Sequence, residues 1–274
     1  MRTIRLGDSE VPVVGQGTWH MGENPATRND EVAALRLGIE LGMTLIDTAE
    51  MYGEGGAEEV VGEAIRGRRE QVFLVSKVYP HNASRNGIPQ ACERSLRRLG
   101  TDCIDLYLLH WRGQYPLVET VEAFEQLRQA GNIRRWGVSN FDIEDLAELG
   151  DTAACATNQV LYNPEERGIE FDLLPVCRTH AMPIMAYCPV GQGGSLLSHP
   201  TVIEVARRLG APPGQVVLAW ALRQPEVLVI PKAVNPVHVR ANASAALLQL
   251  SAEDLSLFDS AFPPPTRKQA LQMV

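Results

Sequence analysis

Short apolar segments alternate with longer amphipathic segments along most of this chain, and this alternation limits its fold more than any other feature. The apolar segments read as β-strands over Gly15–Thr18, Thr44–Asp47, Val72–Lys77, Ile104–His110, Arg135–Val138, Thr157–Val160, Ile184–Tyr187 and Val227–Pro231. The amphipathic segments read as helices over Glu31–Leu41, Glu58–Ile65, Pro89–Leu99, Val118–Ala130, Ile143–Leu149, Leu173–His180, Thr201–Leu209 and Pro213–Arg223. Strands that alternate with helices in this way form parallel βαβ units.

The number of units decides between the two common parallel architectures. Eight units in 274 residues favour an α/β fold with a closed (β/α)8 TIM barrel over an open doubly wound sheet. Ile4 and Val11–Val14 flank a turn at Gly7-Asp8, which predicts a short N-terminal β-hairpin before the barrel. No linker or low-complexity tract divides the chain, so residues 1–274 are expected to form a single barrel domain.

Residues at the ends of the amphipathic segments support these helices. Gly42 and Gly100 follow apolar helices, at the position where glycine commonly ends a helix. Asn235 before Pro236 predicts the start of a further helix, with asparagine as the N-cap and proline at the first helical position.

Composition argues against several classes of function. A net charge of −8 gives no basic face, so a nucleic-acid partner is not expected. The five cysteines have neither CxxC nor Cys/His ligand spacing, which predicts a reducing compartment and no metal site. Residues 1–10 lack the apolar run of a signal peptide, and no later segment reaches membrane-spanning length. We therefore expect a cytoplasmic protein without membrane contact and without an obligate protein partner.

Polar side chains stand at the ends of successive predicted strands, where a barrel places its reacting groups. Taken one at a time, such residues are more often helix caps, solvated charges or core histidines than catalytic groups. Their joint placement on one rim instead predicts an active site. In chain order the residues are Asp47, Tyr52, Lys77, His110, Ser139, Asn140, Gln159, Tyr187 and Lys232.

Four of these residues together suit the reduction of a carbonyl by hydride. Asp47 beside a partly buried Lys77 would keep the lysine charged. The ammonium near the Tyr52 hydroxyl would lower the pKa of the phenol from about 10 toward the working pH. Tyr52 could then protonate an oxygen that gains negative charge, while His110 orients or polarises the same carbonyl.

The four residues and their surroundings resemble the catalytic tetrad of the aldo-keto reductases. The motifs that match are Leu-Ile-Asp-Thr-Ala-Glu-Met-Tyr-Gly (45–53), Val-Ser-Lys-Val (75–78), Asp-Leu-Tyr-Leu-Leu-His-Trp (105–111), Gly-Val-Ser-Asn-Phe (137–141), Asn-Gln-Val (158–160), Ala-Tyr-Cys-Pro (186–189) and Ile-Pro-Lys-Ala (230–233). They follow the order of the family over almost the whole chain. The sequence is most similar to bacterial members related to 2,5-diketogluconate and methylglyoxal reductases.

The resemblance implies a role for each residue and a nicotinamide cofactor. Tyr52 would be the proton donor, Lys77 and Asp47 would tune it, and His110 would position the carbonyl. Tyr187 would stack on the nicotinamide ring, and the segment from Cys188 would wrap the pyrophosphate. The implied cofactor-binding residues are Gly17, Thr18, Asp47, Ser139, Asn140, Gln159, Tyr187, Cys188, Val190, Lys232, Ala233, His238 and Asn242.

The cofactor expected from the resemblance is NADPH, with NADH left open. Lys232 and the N-terminus of the helix at Pro236 together suit a phosphate, since a cation and free N–H groups both attract it. Many relatives carry serine and arginine where this chain has Ala233 and His238, and a histidine charge depends on pH. Arg240 is an alternative source of positive charge.

The resemblance also implies the substrate-binding residues Trp19, Tyr79, His110 and Trp111. The loop Arg112–Pro116 and the tail after Phe262 are short, where relatives that bind bulky substrates have longer segments. An open pocket for small aldehydes, ketoaldehydes or sugar-derived carbonyls is expected.

Two other functions fit some of the same residues. A regulatory protein could keep the fold and bind the cofactor with little turnover. A Schiff-base aldolase could use Lys77 as its nucleophile, because barrel lysines at strand ends do such chemistry.

Overall fold

Eight parallel strands form a barrel in the computed structural model, which describes residues 1–150 and 154–274. They are β3 (Gln16–Gly17), β4 (Leu45–Asp47), β5 (Phe73–Val78), β6 (Ile104–Leu109), β7 (Ile133–Ser139), β8 (Cys155–Leu161), β9 (Ile184–Tyr187) and β10 (Val227–Val229). Strands that are consecutive in the sequence are adjacent in the sheet. The barrel closes where Val229 N donates to Val13 O at 2.9 Å and Gly15 N donates to Val229 O at 2.8 Å. The predicted (β/α)8 fold is therefore confirmed.

A hairpin closes the amino-terminal end of the barrel, as the Gly7-Asp8 turn predicts. Its antiparallel strands are β1 (Thr3–Leu6) and β2 (Ser9–Pro12). Leu6 and Val11 are buried against the side chains that fill the barrel interior, which include Leu106 and Met185. Water is excluded at this end, so a ligand has to enter at the opposite rim, where the strands end.

The helices cover the outside of the barrel, and each predicted helix is present with its ends moved by a few residues. They are α1 (Arg28–Glu40), α2 (Gly56–Ile65), α3 (Gly87–Leu99), α4 (Leu117–Ala130), α5 (Ile143–Glu148), α6 (Leu173–Thr179), α7 (Pro200–Leu209), α8 (Pro213–Ala221), α9 (Pro236–Ser244) and α10 (Ala252–Ala261). The sequence analysis missed α10, although Ser251 and Asp254 form a capping box at its start. Among the residues described, no helix combines the length and apolarity needed to cross a bilayer.

Aromatic packing fastens the helical layer to the strands. Tyr107 of β6 meets Phe124 of α4 edge-on with ring centroids 5.8 Å apart, and Phe124 stacks on Trp136 of β7 at 5.9 Å. All three rings are buried. Each such pair contributes about 0.5–1.5 kcal/mol beyond its burial, so the strand ends that carry polar residues are held rigidly.

Close backbone packing fixes the loop that carries Tyr52. Gly22 has φ +76°, and a Cβ at this position would lie 2.2 Å from the carbonyl carbon of Gly56. Only glycine allows the loop after β3 to approach the start of α2 so closely. The segment between β4 and α2, which includes Tyr52, is therefore fixed at both ends.

Candidate active site

Lys77 connects the predicted tetrad. Its Nζ donates to Asp47 Oδ2 at 2.7 Å, to the backbone oxygen of Thr48 at 2.9 Å and to Tyr52 Oη at 3.1 Å. An ammonium has three N–H donors, so all of them are used. Because the Tyr52 oxygen accepts from Lys77, its own hydrogen is free to point away from Lys77, into the cavity that Tyr52 lines.

The ion pair at the base of the site is out of contact with water. The side chains of Lys77 and Asp47 are 0% and 2% exposed, and Gln159 Nε2 donates to the other Asp47 oxygen at 2.7 Å. Burial raises the pKa of Asp47 and lowers the pKa of Lys77, while the charge of each partner opposes these shifts. Each charge is therefore kept by the other, and removal of one leaves the other uncompensated.

The structure corrects the expected pKa of Tyr52. The sequence analysis predicted that Lys77 lowers it, but burial and then the charge of Asp47 raise the pKa of Tyr52 well above its usual value. The prediction is wrong because burial, which has the largest effect, cannot be read from the spacing of residues. A phenol with a raised pKa keeps its proton at neutral pH, so the proton is present for transfer.

His110 faces Tyr52 and is uncharged. The two rings lie edge-on with centroids 5.8 Å apart. Burial, with a smaller effect from the Lys77 charge, lowers the pKa of His110 well below its usual value. Within residues 1–150 and 154–274, its buried Nδ1 has no hydrogen-bond partner. A buried donor without an acceptor is costly, so the single proton belongs on Nε2.

The lowered pKa of His110 predicts a loss of stability in acid. Below about pH 6.5 the unfolded chain protonates this histidine before the folded protein does, so acid favours unfolding. From about pH 7.5 to about pH 5.5, the wild type should lose on the order of 1 kcal/mol of unfolding free energy relative to His110→Gln. Urea unfolding of both proteins at several pH values measures the difference. A difference independent of pH would contradict the lowered pKa.

One cavity of about 910 Å³ opens at the carboxyl end of the barrel and joins most of the predicted site residues. Lys77 does not line it, but its Nζ donates to Asp47 and Tyr52, which both do. The predicted residues that line it are Gly17, Thr18, Trp19, Asp47, Tyr52, His110, Trp111, Ser139, Asn140, Gln159, Tyr187, Cys188, Val190, Lys232, Ala233, His238 and Asn242. The structure thus brings both predicted sets, for cofactor and for substrate, into one continuous space.

Lys77, Tyr79 and Arg240 are the predicted residues that do not line the cavity. The Tyr79 ring packs edge-on against Trp111, which does line it, with centroids 5.9 Å apart. A role for Tyr79 in substrate binding stays a prediction. Arg240 is exposed and does not line the cavity. Of Arg240 and His238, His238 is therefore the one that lines the cavity together with Lys232.

Hydrogen bonds join the side chains of Tyr187 and Asn140 to each other and to the backbone of His110. Tyr187 Oη donates to Asn140 Oδ1 at 2.9 Å, and Asn140 Nδ2 donates to His110 O at 3.1 Å and to Ser139 Oγ at 3.2 Å. Asn140 has φ +59°, a left-handed conformation that asparagine tolerates better than most residues. These bonds fix the Tyr187 ring at the cavity wall.

The sequence analysis missed several residues that line the cavity. They are His20, Met51, Leu197, Pro212, Pro213, Gly214, Gln215, Ile230, Pro231, Ala241, Met273 and Val274. Pro189, Gln192 and Gly193 also line it and belong to the segment from Cys188 that the resemblance implies for the pyrophosphate. Pro212-Pro213 marks the start of α8 and was a usable signal. The tail has no periodic pattern, yet Met273 and Val274 line the cavity.

The end of the cavity near α9 is positively charged. Lys232 and His238 both line it and are exposed. No salt bridge to Lys232 occurs within residues 1–150 and 154–274. Asn235 caps α9 as predicted, accepting from Val237 N at 2.9 Å. A free cation beside the first turn of a helix is a suitable environment for a phosphate.

Comparison with known proteins identifies the family. A model of the aldo/keto reductase family matches residues 13–262. The chain belongs to the aldo/keto reductase family. This aldo/keto reductase is 54% identical to methylglyoxal reductase YeaE of Escherichia coli K12, over 98% of this chain and 97% of that protein.

Solved structures give the same result. The aldo/keto reductase of Klebsiella pneumoniae in complex with NADP and acetate is 55% identical, with a TM-score of 0.97 over 99% of both chains. A complex of a Klebsiella pneumoniae aldo-keto reductase with NADPH has a TM-score of 0.98 at 55% identity, over 100% of this chain and 99% of that chain. The chain is therefore an oxidoreductase with the (β/α)8 fold of this family.

Proposed function

We propose that this aldo/keto reductase reduces small uncharged aldehydes and ketoaldehydes to alcohols with NADPH, and that Tyr52 donates the proton. The hydrogen bond from Lys77 Nζ to Tyr52 Oη carries the proposal. It leaves the hydroxyl hydrogen of a neutral phenol available to the cavity, beside the uncharged His110. Residues 1–274 would act as one catalytic domain.

The cavity suits a dinucleotide better than a small carbonyl alone. Its volume of about 910 Å³ is near the upper end of ordinary ligand pockets. Ser139, Asn140 and Gln159 would hold the carboxamide of the nicotinamide, and Tyr187 would stack on its ring. Cys188 to Gly193 would follow the pyrophosphate, and Lys232 and His238 would meet the phosphate of the adenosine. When bound, the cofactor supplies the hydride, and relatives crystallised with NADP and NADPH support this choice.

The substrate end of the cavity has apolar walls. Trp19, Met51, Trp111, Met273 and Val274 line the same cavity as Tyr52 and would form these walls. Small uncharged carbonyls suit such walls, whereas a carboxylate would lose its hydration there. The 54% identity to a methylglyoxal reductase supports a ketoaldehyde as substrate.

Each tetrad residue would have one task in the reaction. His110 Nε2–H and the Tyr52 O–H would both donate to the carbonyl oxygen and so fix its position. As negative charge develops on that oxygen, Tyr52 would transfer its proton. The Lys77 ammonium would then stabilise the phenolate through the hydrogen bond that already exists, and Asp47 would keep Lys77 charged.

The two alternative functions have less support. A Schiff-base aldolase needs a lysine that the substrate can reach, but Lys77 is fully buried behind Tyr52 with its three N–H groups donated. A regulatory protein with little turnover has no need for Tyr52, Lys77 and His110 in this arrangement. The cytoplasmic location stays a prediction from the cysteine pattern.

Steady-state assays test the proposed activity. Oxidation of NADPH and of NADH is followed by absorbance, with methylglyoxal, a small aromatic aldehyde and pyruvate as substrates. We expect turnover with both aldehydes, preference for NADPH, and little activity with the charged pyruvate. Binding of NADPH without turnover of any carbonyl would favour the regulatory function.

His238 is expected to set the strength of NADPH preference. Because an arginine always carries a positive charge and can bind a phosphate with two N–H donors, His238→Arg should lower the Kd of NADPH by about tenfold. The Kd of NADH, which lacks the additional phosphate, should hardly change. Titration calorimetry measures both constants, with Arg240→Met, outside the cavity, as the control. An equal change for both cofactors would remove His238 from the phosphate site.

A further inference from the structure

Three carboxylates surround one lysine in the tail that follows α10. Lys268 Nζ lies 3.2 Å from Asp142 Oδ2, 3.2 Å from Glu144 Oε1 and 3.9 Å from Asp172 Oδ2. Asp142 and Glu144 belong to the start of α5, and Asp172 stands at the start of α6. One side chain of the tail is thus tied to two neighbouring βα units of the barrel.

Two of the three acceptors in this cluster are already fixed. Asp142 Oδ1 accepts from Ile143 N at 2.8 Å, and Asp172 Oδ1 accepts from Leu173 N at 2.8 Å, so each aspartate caps its helix with one oxygen. The second oxygen of each faces Lys268. Exposed ion pairs are weak partly because two mobile side chains must be ordered. For the two aspartates the main cost is the ordering of Lys268, whereas Glu144 is 86% exposed and must be ordered as well.

The tail continues from Lys268 to the catalytic cavity. Residues 269–272 lie along Gly168, Ile169 and Leu173, and Leu271 packs against the core. Met273 and Val274 then line the cavity. Burial raises the pKa of Tyr187, and a backbone hydrogen bond from Val274 partly opposes this rise. Lys268 therefore lies at the start of the segment that brings Met273 and Val274 to the cavity.

We propose that Lys268 is a positioning residue for substrate binding: its ion pairs with Asp142, Glu144 and Asp172 hold residues 269–274 in place as a wall of the substrate site. This inference rests on the proposed carbonyl reduction. It assigns Lys268 no contact with the reacting atoms or with the cofactor. Loss of the ion pairs releases the wall, so substrate affinity falls while the chemical step and cofactor binding are retained.

Replacement of Lys268 by methionine tests the proposal. At saturating NADPH, Lys268→Met should raise the KM for methylglyoxal about twofold to fivefold, which is the range expected for a partly exposed ion-pair cluster. The kcat and the Kd of NADPH should stay near the wild-type values. Lys268→Arg, which keeps the charge, should restore the KM. Arg97→Met, which removes an exposed ion pair with Glu93 on α3, is the control and should leave the KM unchanged.

Two further measurements are the salt dependence of the KM and the rate of amide hydrogen exchange. A merely structural role of Lys268 would not change both together. Methylglyoxal is uncharged, so about 1 M salt should raise the wild-type KM toward that of Lys268→Met by screening the cluster, and should leave the variant unaffected. Backbone amides of residues 269–274 should exchange faster in Lys268→Met than in wild type. Faster exchange with an unchanged KM would overturn the proposal, as would unchanged exchange. Absence of wild-type turnover would instead refute the proposed function.

Discussion

Tyr52→Phe should lower kcat by a factor of about 100 to 10,000, the usual contribution of a positioned general acid. The substitution removes the Tyr52 hydroxyl, whose oxygen lies 3.1 Å from Lys77 Nζ. Phenylalanine keeps the ring that packs near His110, whose centroid lies 5.8 Å from that of Tyr52. The Kd of NADPH should therefore change little, because Tyr52 is not among the proposed cofactor contacts.

Steady-state kinetics and fluorescence titration of NADPH together measure this prediction. Tyr115→Phe is a matched control, since Tyr115 is partly buried and does not line the cavity. A Tyr52→Phe variant with near-wild-type kcat would mean that another group donates the proton. A large rise in the Kd of NADPH would mean that Tyr52 shapes the cofactor site instead.

Lys77→Met should cost about 3–5 kcal/mol of unfolding free energy, because it leaves a buried carboxylate without its partner. Asp47 is 2% exposed, and among the described residues its carboxylate would retain one side-chain hydrogen bond, from Gln159. The double variant Asp47→Asn/Lys77→Met removes both charges and should recover most of this loss. Catalytic turnover should stay low in both variants, since neither can stabilise the Tyr52 phenolate.

Urea unfolding and kcat, measured on the same samples, separate the effect on stability from the effect on catalysis. Arg97→Met breaks a pair whose side chains are both 72% exposed, and it should cost less than about 1 kcal/mol. If Lys77→Met were as stable as Arg97→Met, the Asp47–Lys77 pair would not be a buried ion pair. If the double variant regained activity together with stability, Lys77 would have no role in the chemistry.

The barrel and most of the cavity wall could be predicted from the sequence because both depend on local patterns. Parallel strands deliver their carboxyl ends to one rim, so Asp47, Lys77, His110 and Tyr187 had to lie near each other once the strands were recognised. Gly100 marks the end of one helix and Asn235 marks the start of another. Both could be predicted because helix capping depends on residues that are close in sequence.

The remaining features depend on contacts between distant segments. Tyr79 follows a strand as Tyr52 does, yet its ring packs against Trp111 and does not line the cavity. The spacing of residues in the sequence does not determine which of the two rings lines the cavity. The pKa of Tyr52 depends on how much water the folded protein excludes. The path of the tail to Met273 depends on Lys268 meeting helix starts far away in sequence.

Transfer of deuterium from the cofactor tests the central claim most directly. The wild-type protein is incubated with methylglyoxal and NADPH that carries deuterium at both C4 positions, and the product is examined by NMR. The account predicts an alcohol with one deuterium on the carbon of the former carbonyl, formed in step with loss of NADPH. Bound NADPH without any deuterated alcohol would contradict it.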